Sequence, residues 1–282
     1  MQISELHLYP FKSARGIALP QAAIDARGLS GDRRMMLVDS SGHFVTQRDL
    51  PELARLTALP GAAYLRLMLD DGPEMMVAPP HPERRMDVAI WRSIVSAAVA
   101  DDSVNGRLSE WFGRDLKLVF FDGASTRSAG LDWIADDTPV GFADGYQILV
   151  TTTGSLRALN DDMEAHGEGS VGMERFRPNI VIDCDEPFAE DFWATLEIGG
   201  LRLDLVKPCA RCIMTTQDQQ TGSREGADPM PAMGRIRMSA DRRVPGPLFG
   251  WNAVPRGEGR VSVGDAVSVI ETRADGWAFK QR

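Results

Sequence analysis

"RRMMLVDSSGHFVT", residues 33–46, reads as two short strands folded about Ser41-Gly42, a β-hairpin. The same pattern runs through the first third of the chain. "ISELHLYPF" (3–11) sets Ile3, Leu6 and Leu8 among polar residues, and "AYLRLMLDDGPEMMVAPP" (63–80) alternates before turning at Asp71-Gly72. Short strands at this spacing predict a barrel or a sandwich. Helices are fewer. "RLSEWFG" (107–113) is a helix end with Gly113 as its C′ residue, and "TTTGSLRALNDDME" (151–164) predicts a second helix. Its N-cap is expected near Thr153 or Ser155, with Leu156 and Leu159 on one face.

"PNIVIDC" (178–184) reads as a short buried strand, "LEIGGLRLDLVKP" (196–208) as a hairpin turning at Gly199-Gly200, and "GRVSVGDAVSVIE" (259–271) as two strands around Gly264-Asp265. Residues 222–247, rich in Gly, Pro, Met and Arg, are expected to form a long surface loop. No internal repeat is visible. The predicted class is α+β and β-rich.

The chain has 282 residues, enough for one large or two ordinary domains, and its 43% hydrophobic and 25% charged content is that of a folded protein. A net charge of −9 argues against nonspecific nucleic-acid binding but leaves room for a local anion pocket. No apolar run approaches the roughly 20 residues of a membrane helix, and "MQISELHLYPFKS" has no signal-peptide pattern. Three cysteines form no disulfide framework and fit a reducing compartment. A cytoplasmic protein that engages neither membrane nor nucleic acid is expected.

Two of those cysteines stand in "KPCARCIMTT" (207–216). A structural zinc site needs four ligands, yet beside Cys209 and Cys212 there is only Cys184, and His7, His43, His81 and His166 are scattered. A thioredoxin-type pair should open a helix, whereas "IMTTQDQQTG" (213–222) reads as another strand and a turn. Free cysteines are often small buried hydrophobes. Against burial stands the charge of Lys207 and Arg211, since cations near a thiol favour its reactive anionic form. Spacing alone leaves a packing pair and a presented thiolate both open.

Three further segments carry cations into turns. "RFRPNIVID" (175–183) brings Arg175, Arg177 and Asn179 to a strand edge, where arginine can grip a phosphate or carboxylate in two-pronged fashion. "YPFKSARG" (9–16) places Lys12, Ser13 and Arg15 after the first strand, and "LSGDRRMML" (29–37) places Asp32, Arg33 and Arg34 at a strand entrance. Three such turns in an acidic chain point to an anionic ligand.

These segments, with "VTQRDLPELA" (45–54), "GFADGYQILVTT" (141–152) and "PLFGWNAVPRGEGRVSVGD" (247–265), stand in an order that resembles MOSC-domain proteins with an N-terminal MOSC barrel domain. That family includes the mitochondrial amidoxime-reducing component and its bacterial relatives. The resemblance runs from Ile3 to Val269. It implies a β-barrel-like N-terminal domain over residues 1–118 and a MOSC β-barrel domain over 119–282, with the site between them.

It also implies a molybdenum cofactor, Mo-molybdopterin, whose metal takes a protein sulfur from the second cysteine of the motif, here Cys212. Cys209 is then a packing neighbour. By motif, Lys12, Ser13, Arg33, Asp144, Arg177, Asn179 and Arg211 match cofactor contacts. Gly145 and Tyr146 stand where some members carry hydroxyl residues, so backbone contacts are expected there. Asn252 stands where some members have Tyr, and is carried as a contact. The implied activity is reduction of N-hydroxylated compounds: hydroxylamines, amidoximes or N-hydroxylated bases. A molybdenum-cofactor carrier and a persulfide-based sulfur-transfer protein are the alternatives. The chain lacks the cysteines for an iron–sulfur cluster, so a separate flavin, haem or iron–sulfur donor protein is expected beside the small-molecule substrate.

Overall fold

The structure, a computed structural model, describes residues 1–61, 63–70 and 72–280. Among the described residues strands take 38% and helices 17%, so the protein is β-rich α+β, with curled half-barrel sheets. The largest sheet has eight strands. In spatial order they are Val267–Thr272, Trp193–Ile198, Leu201–Ala210, Leu248–Arg256, Ile148–Thr152, Ile180–Asp183, Gln2–Leu8 and Ile17–Leu19. Its one parallel pair, Ile148–Thr152 with Ile180–Asp183, is bridged by the helix Thr153–Ala165; the other pairs are antiparallel.

The first strand shows how pattern becomes packing. Ile3, Leu6 and Leu8 are all buried, although strict alternation would put Ile3 and Leu6 on opposite faces. A register shift between Ile3 and Glu5, against consecutive Ile182 and Val181, inserts the extra residue that returns all three to the core. This strand lies between Ile180–Asp183 and Ile17–Leu19. It thereby carries the turn that follows it, residues 9–15, up to the Arg177–Asn179 corner of the far half of the chain.

The turn of the 33–46 segment forms, but its second arm, residues 43–46, is no strand, and the ladder partner of Met35–Val38 is Lys117–Phe120. Met35–Val38 returns through a turn in which the Asp39 carboxylate accepts from the Ser41 N–H (2.9 Å) and the His43 N–H (3.0 Å), and Val38 bridges Phe44. Leu65–Leu69 pairs antiparallel with Glu74–Val77; of the expected turn, Asp71 lies outside the described residues. The Gly199-Gly200 hairpin is present, and Gly113 ends the helix Asp102–Phe112 in the left-handed region, with φ 62°. The two last strands form but take other partners: Gly259–Ser262 pairs with Gln21–Asp25, and Val267–Thr272 with Trp193–Ile198.

Three further expectations are corrected. The N-cap of the Thr153–Ala165 helix is Thr152, one residue early, because its hydroxyl accepts from the Ser155 N–H at 3.2 Å. Residues 222–247 are not all loop, since Met230–Ile236 is helical and buries Ala232 and Met233 against Leu159 and Met163. Proline in its first turn removes no needed donor. Finally, Ile213–Thr216 is a 3-10 turn and not a strand, because the Thr215 N–H and hydroxyl both close back on the Cys212 carbonyl, at 3.1 and 3.0 Å.

Asp122 braces a smaller, four-stranded sheet against the loop that follows it. Its carboxylate accepts from Arg85 at 2.7 and 3.0 Å and from the Ser125 hydroxyl at 2.9 Å. The Arg85 bonds above all bring its pKa from 3.8 down to about 2. A lowered carboxyl pKa contributes stability above pH 3.8, and that contribution fades as pH falls towards 2. Asp122→Asn is expected to unfold about 2–4 °C below wild type at pH 7, equivalent to roughly 1 kcal/mol after solvent screening. The two melting curves should converge near pH 2; a gap that persists there contradicts the assignment.

Candidate functional site

The turn after the first strand, the Arg33 entrance, the segment 143–147, the Arg177 corner and the end of the Leu201–Ala210 strand enclose a cavity of about 400 Å³. Lys12, Ser13 and Arg33 line it from the N-terminal side. Asp144, Gly145, Tyr146, Arg177, Asn179, Arg211, Cys212 and Asn252 line it from the other. Every position carried over by motif therefore reaches one cleft, whereas Arg15, Asp32, Arg34 and Arg175 do not line it. Four residues on its wall, Ser13, Arg33, Trp91 and Arg177, hold φ between 45° and 63° without being glycine. Such backbone is unfavourable for L-residues and tends to gather at binding sites.

The cations differ in how far they are already paired. Lys12 is buried; it donates to the Phe142 carbonyl at 3.0 Å and forms a close ion pair with Asp144. Burial lowers the Lys12 pKa against the pull of Asp144. The walls of the cleft oppose ionisation of Asp144, but Lys12 and the Trp91 indole N–H, 3.1 Å away, outweigh them and hold the carboxyl well below its usual range. Asp144 is thus a fixed anion with its side chain 73% exposed to the cleft.

Arg33 and Arg177 both lie over the Tyr9 ring, 4.2 and 4.3 Å from its centre. Arg33 is paired with buried Asp32. Arg177 donates one bond, to Gln219 Oε1 at 2.9 Å, so most of its five N–H donors have no partner among the described residues. Burial, with Arg33 nearby, lowers its pKa to about 10, and burial raises that of Tyr9 to about 12. Arg177 remains charged at neutral pH.

Other expected contacts face inward. The Asn179 side-chain oxygen accepts from the Leu149 N–H at 3.1 Å and its amide donates to the His7 carbonyl at 3.2 Å. It stitches two strands together and keeps one N–H. Asn252 donates to the Lys207 carbonyl at 3.1 Å. Tyr146 packs into an apolar cluster with Ile134, Val140 and Val254. Gly145 is open: a Cβ there would meet nothing within 4 Å. Arg175 stays outside the cavity wall and clamps the turn after Cys212, donating to the Thr216 carbonyl at 2.9 Å.

The three cysteines are free: Cys184 buried, Cys209 intermediate, Cys212 exposed. Cys212 caps the 3-10 turn, and its sulfur has no hydrogen-bond partner among the described residues. No group of three or more His, Cys, Asp or Glu able to hold a metal ion occurs among the described residues. Trp91 and Arg48, stacked at 5.0 Å, line the cavity although the sequence did not single them out. Arg48 lies within the quoted "VTQRDLPELA", a usable signal. Trp91 sits at a hairpin corner between Ile90 and Ser93 with no local signature.

Comparison with known proteins fits this frame. Residues 1–115 match the MOSC N-terminal beta barrel domain, and residues 137–268 match the MOSC domain. The chain belongs to the MOSC-domain family, in the branch with that N-terminal barrel. Among its relatives is mitochondrial amidoxime reducing component 2 of Rattus norvegicus, 30% identical over 287 residues, 94% of this chain and 82% of the relative. The Homo sapiens protein of the same name is 29% identical over the same shares. Molybdenum cofactor sulfurase of Oryza sativa subsp. japonica is 26% identical over 93% of this chain, which matches 34% of that protein. A solution structure from Bordetella bronchiseptica overlaps 37% of this chain and 90% of its own, at 15% identity and a TM-score of 0.29, too little to bear on the fold. No helix among the described residues is long and apolar enough to cross a membrane.

Proposed function

We propose that this protein is a molybdenum-cofactor-dependent reductase of N-hydroxylated compounds, working with a separate electron-donor protein. The observation that carries the reading is one exposed thiol, Cys212, on the wall of a cavity that is also lined by Arg177, most of whose N–H donors have no partner among the described residues. The residues present fit such a cofactor. Cys212 offers soft sulfur with no ligand cluster beside it, so the metal has to arrive with its other ligands, as a dithiolene-bearing pterin does. Arg177 suits the pterin's terminal phosphate. When bound, the group supplies a two-electron centre for N–O cleavage, with two electrons and two protons converting R–NH–OH to R–NH2 and water.

The chain's own residues have separable tasks in this reading. Arg177 holds the anion, Tyr9 underlies its guanidinium, and Arg33 donates to its backbone carbonyl at 3.4 Å. Asp144, kept ionised by Lys12 and Trp91, orients and accepts but carries no proton to donate near neutrality. Protons would enter from solvent at the cavity mouth. Metal analysis of the purified protein, followed by titration with a benzamidoxime-type substrate and a chemical reductant, tests the proposal. Full molybdenum loading without turnover would favour a carrier, and a persulfide on Cys212 without molybdenum a sulfur-transfer protein.

Arg177→Ala is expected to retain the fold and lower cofactor occupancy at least about 10-fold, since charge-assisted bonds contribute roughly 1.5–3 kcal/mol. Occupancy by metal analysis after dialysis checks it; wild-type retention would place the anion elsewhere.

A further inference from the structure

Cys209, the first cysteine of the motif, has no part in the proposal above, yet it is not merely packed. Cys209 stands one residue before the end of the Leu201–Ala210 strand, and it lines the cleft together with Arg211 and Cys212. The Arg211 Nη1 donates to Cys209 Sγ at 2.9 Å, and its Nη2 donates to the Phe176 carbonyl at 2.7 Å. Its backbone N–H donates to the Pro247 carbonyl at 2.8 Å. The guanidinium lies 5.6 Å from the centre of the Phe176 ring. Its Nε is buried without a partner, a penalty tolerated only where the remaining contacts hold the group in place. Phe176 directly precedes Arg177, whose φ of 53° needs support from its surroundings.

The strand geometry aims this arrangement. Opposite Cys209 the pairing shifts, with Pro208 facing Trp251 and Ala210 facing Leu248. The extra residue falls at Phe249-Gly250, where Gly250 has φ 76°. The bulge bends the Leu248–Arg256 strand beside Cys209, and the Arg211 bond to the Phe176 carbonyl ties the end of the Leu201–Ala210 strand to the Phe176–Arg177 corner.

We infer that Cys209 is a positioning residue whose sulfur holds Arg211, and that Arg211 ties the Cys212 turn to the corner presenting Arg177. One side-chain acceptor thereby couples the thiol and the anion contact of the cleft. The inference deepens the proposed function and rests on it only for its consequence, a lower molybdenum content when the tie is cut.

The test uses the full chain as purified. Serine at 209 keeps an acceptor for Arg211 and alanine does not. In Cys209→Ala, amide hydrogen exchange followed by mass spectrometry should accelerate at least about fivefold in peptides covering 173–179 and 209–216 and nowhere else. Cys209→Ser should stay within about twofold of wild type, and Arg211→Lys, which cannot bridge two acceptors in the same fork, should behave like Cys209→Ala. Unchanged exchange in Cys209→Ala, equal acceleration in the serine variant, or acceleration spread over the whole chain would each overturn the assignment. Exchange is read on the polypeptide, so local acceleration with no molybdenum in any variant rejects the cofactor reading and leaves the positioning role standing.

Discussion

Cys212→Ser is expected to purify folded and without detectable turnover of N-hydroxylated substrate. The fold should hold because the Cys212 side chain is exposed and its sulfur bonds to nothing among the described residues; the contacts that build the turn run to its backbone carbonyl, which serine keeps. Surface changes of this kind shift stability by about 0.5 kcal/mol or less. The chemical change is larger. A serine hydroxyl stays protonated near neutrality and is a hard donor, whereas the proposed metal takes soft sulfur. With no ligand cluster nearby to substitute, molybdenum content should fall with activity. Arg177 would still hold the phosphate end, so pterin released on denaturation should exceed the molybdenum retained. A variant that keeps both metal and turnover would remove Cys212 from the chemistry. If Cys209→Ser is dead instead, the ligand belongs at 209.

Much of this cleft was legible because its chemistry sits in compact turns. "KSAR", "GDR", "RPN" and "CARC" each announce charge or sulfur beside a strand, and a strand edge is where a ligand can approach. What those turns do with their side chains was not legible, because their partners are far along the chain. Lys12 meets Asp144 across 132 positions, and Asn179 meets His7 across 172. The lysine is therefore paired in advance, and the asparagine serves the sheet before any ligand. Tyr9 could not be read as the floor beneath two guanidiniums, since a buried tyrosine in a strand-turn segment has many uses. The same limit explains the fold. Alternation and Gly-containing turns marked the strands, but not that the last two would pair with distant ones. Composition hid the helix Met230–Ile236, whose Pro and Gly read as loop until Ala232 and Met233 find an apolar face to cover.

Asp191→Asn should be the most destabilising single change considered, at about 3–5 kcal/mol. The Asp191 carboxylate is 4% exposed and takes two bonds from Arg237, at 2.6 and 2.8 Å, and a third from the Trp251 indole N–H at 2.9 Å. Arg237 is equally buried, its guanidinium 4.1 Å from the Phe188 ring centre and 4.0 Å from that of Phe279. Neutralising the acid leaves a desolvated cation with one amide oxygen, the aromatic faces and nearby Glu190 in place of a two-pronged carboxylate partner, and its Nε already lacks a partner. By the usual scaling for a chain of this size, the melting temperature should fall by roughly 10 °C. Asp191→Leu combined with Arg237→Met removes both charges and should be less destabilised than either single change, because no buried charge is then stranded. The effect should reach the cleft as well. Trp251 faces Pro208 across the sheet and precedes Asn252, so loosening it loosens the strand that ends in the cysteine motif. Thermal unfolding of the two single variants and the double variant decides the matter: singles within about 1 kcal/mol of wild type, or a double variant as unstable as their sum, would show that the pair is not the lock this geometry describes.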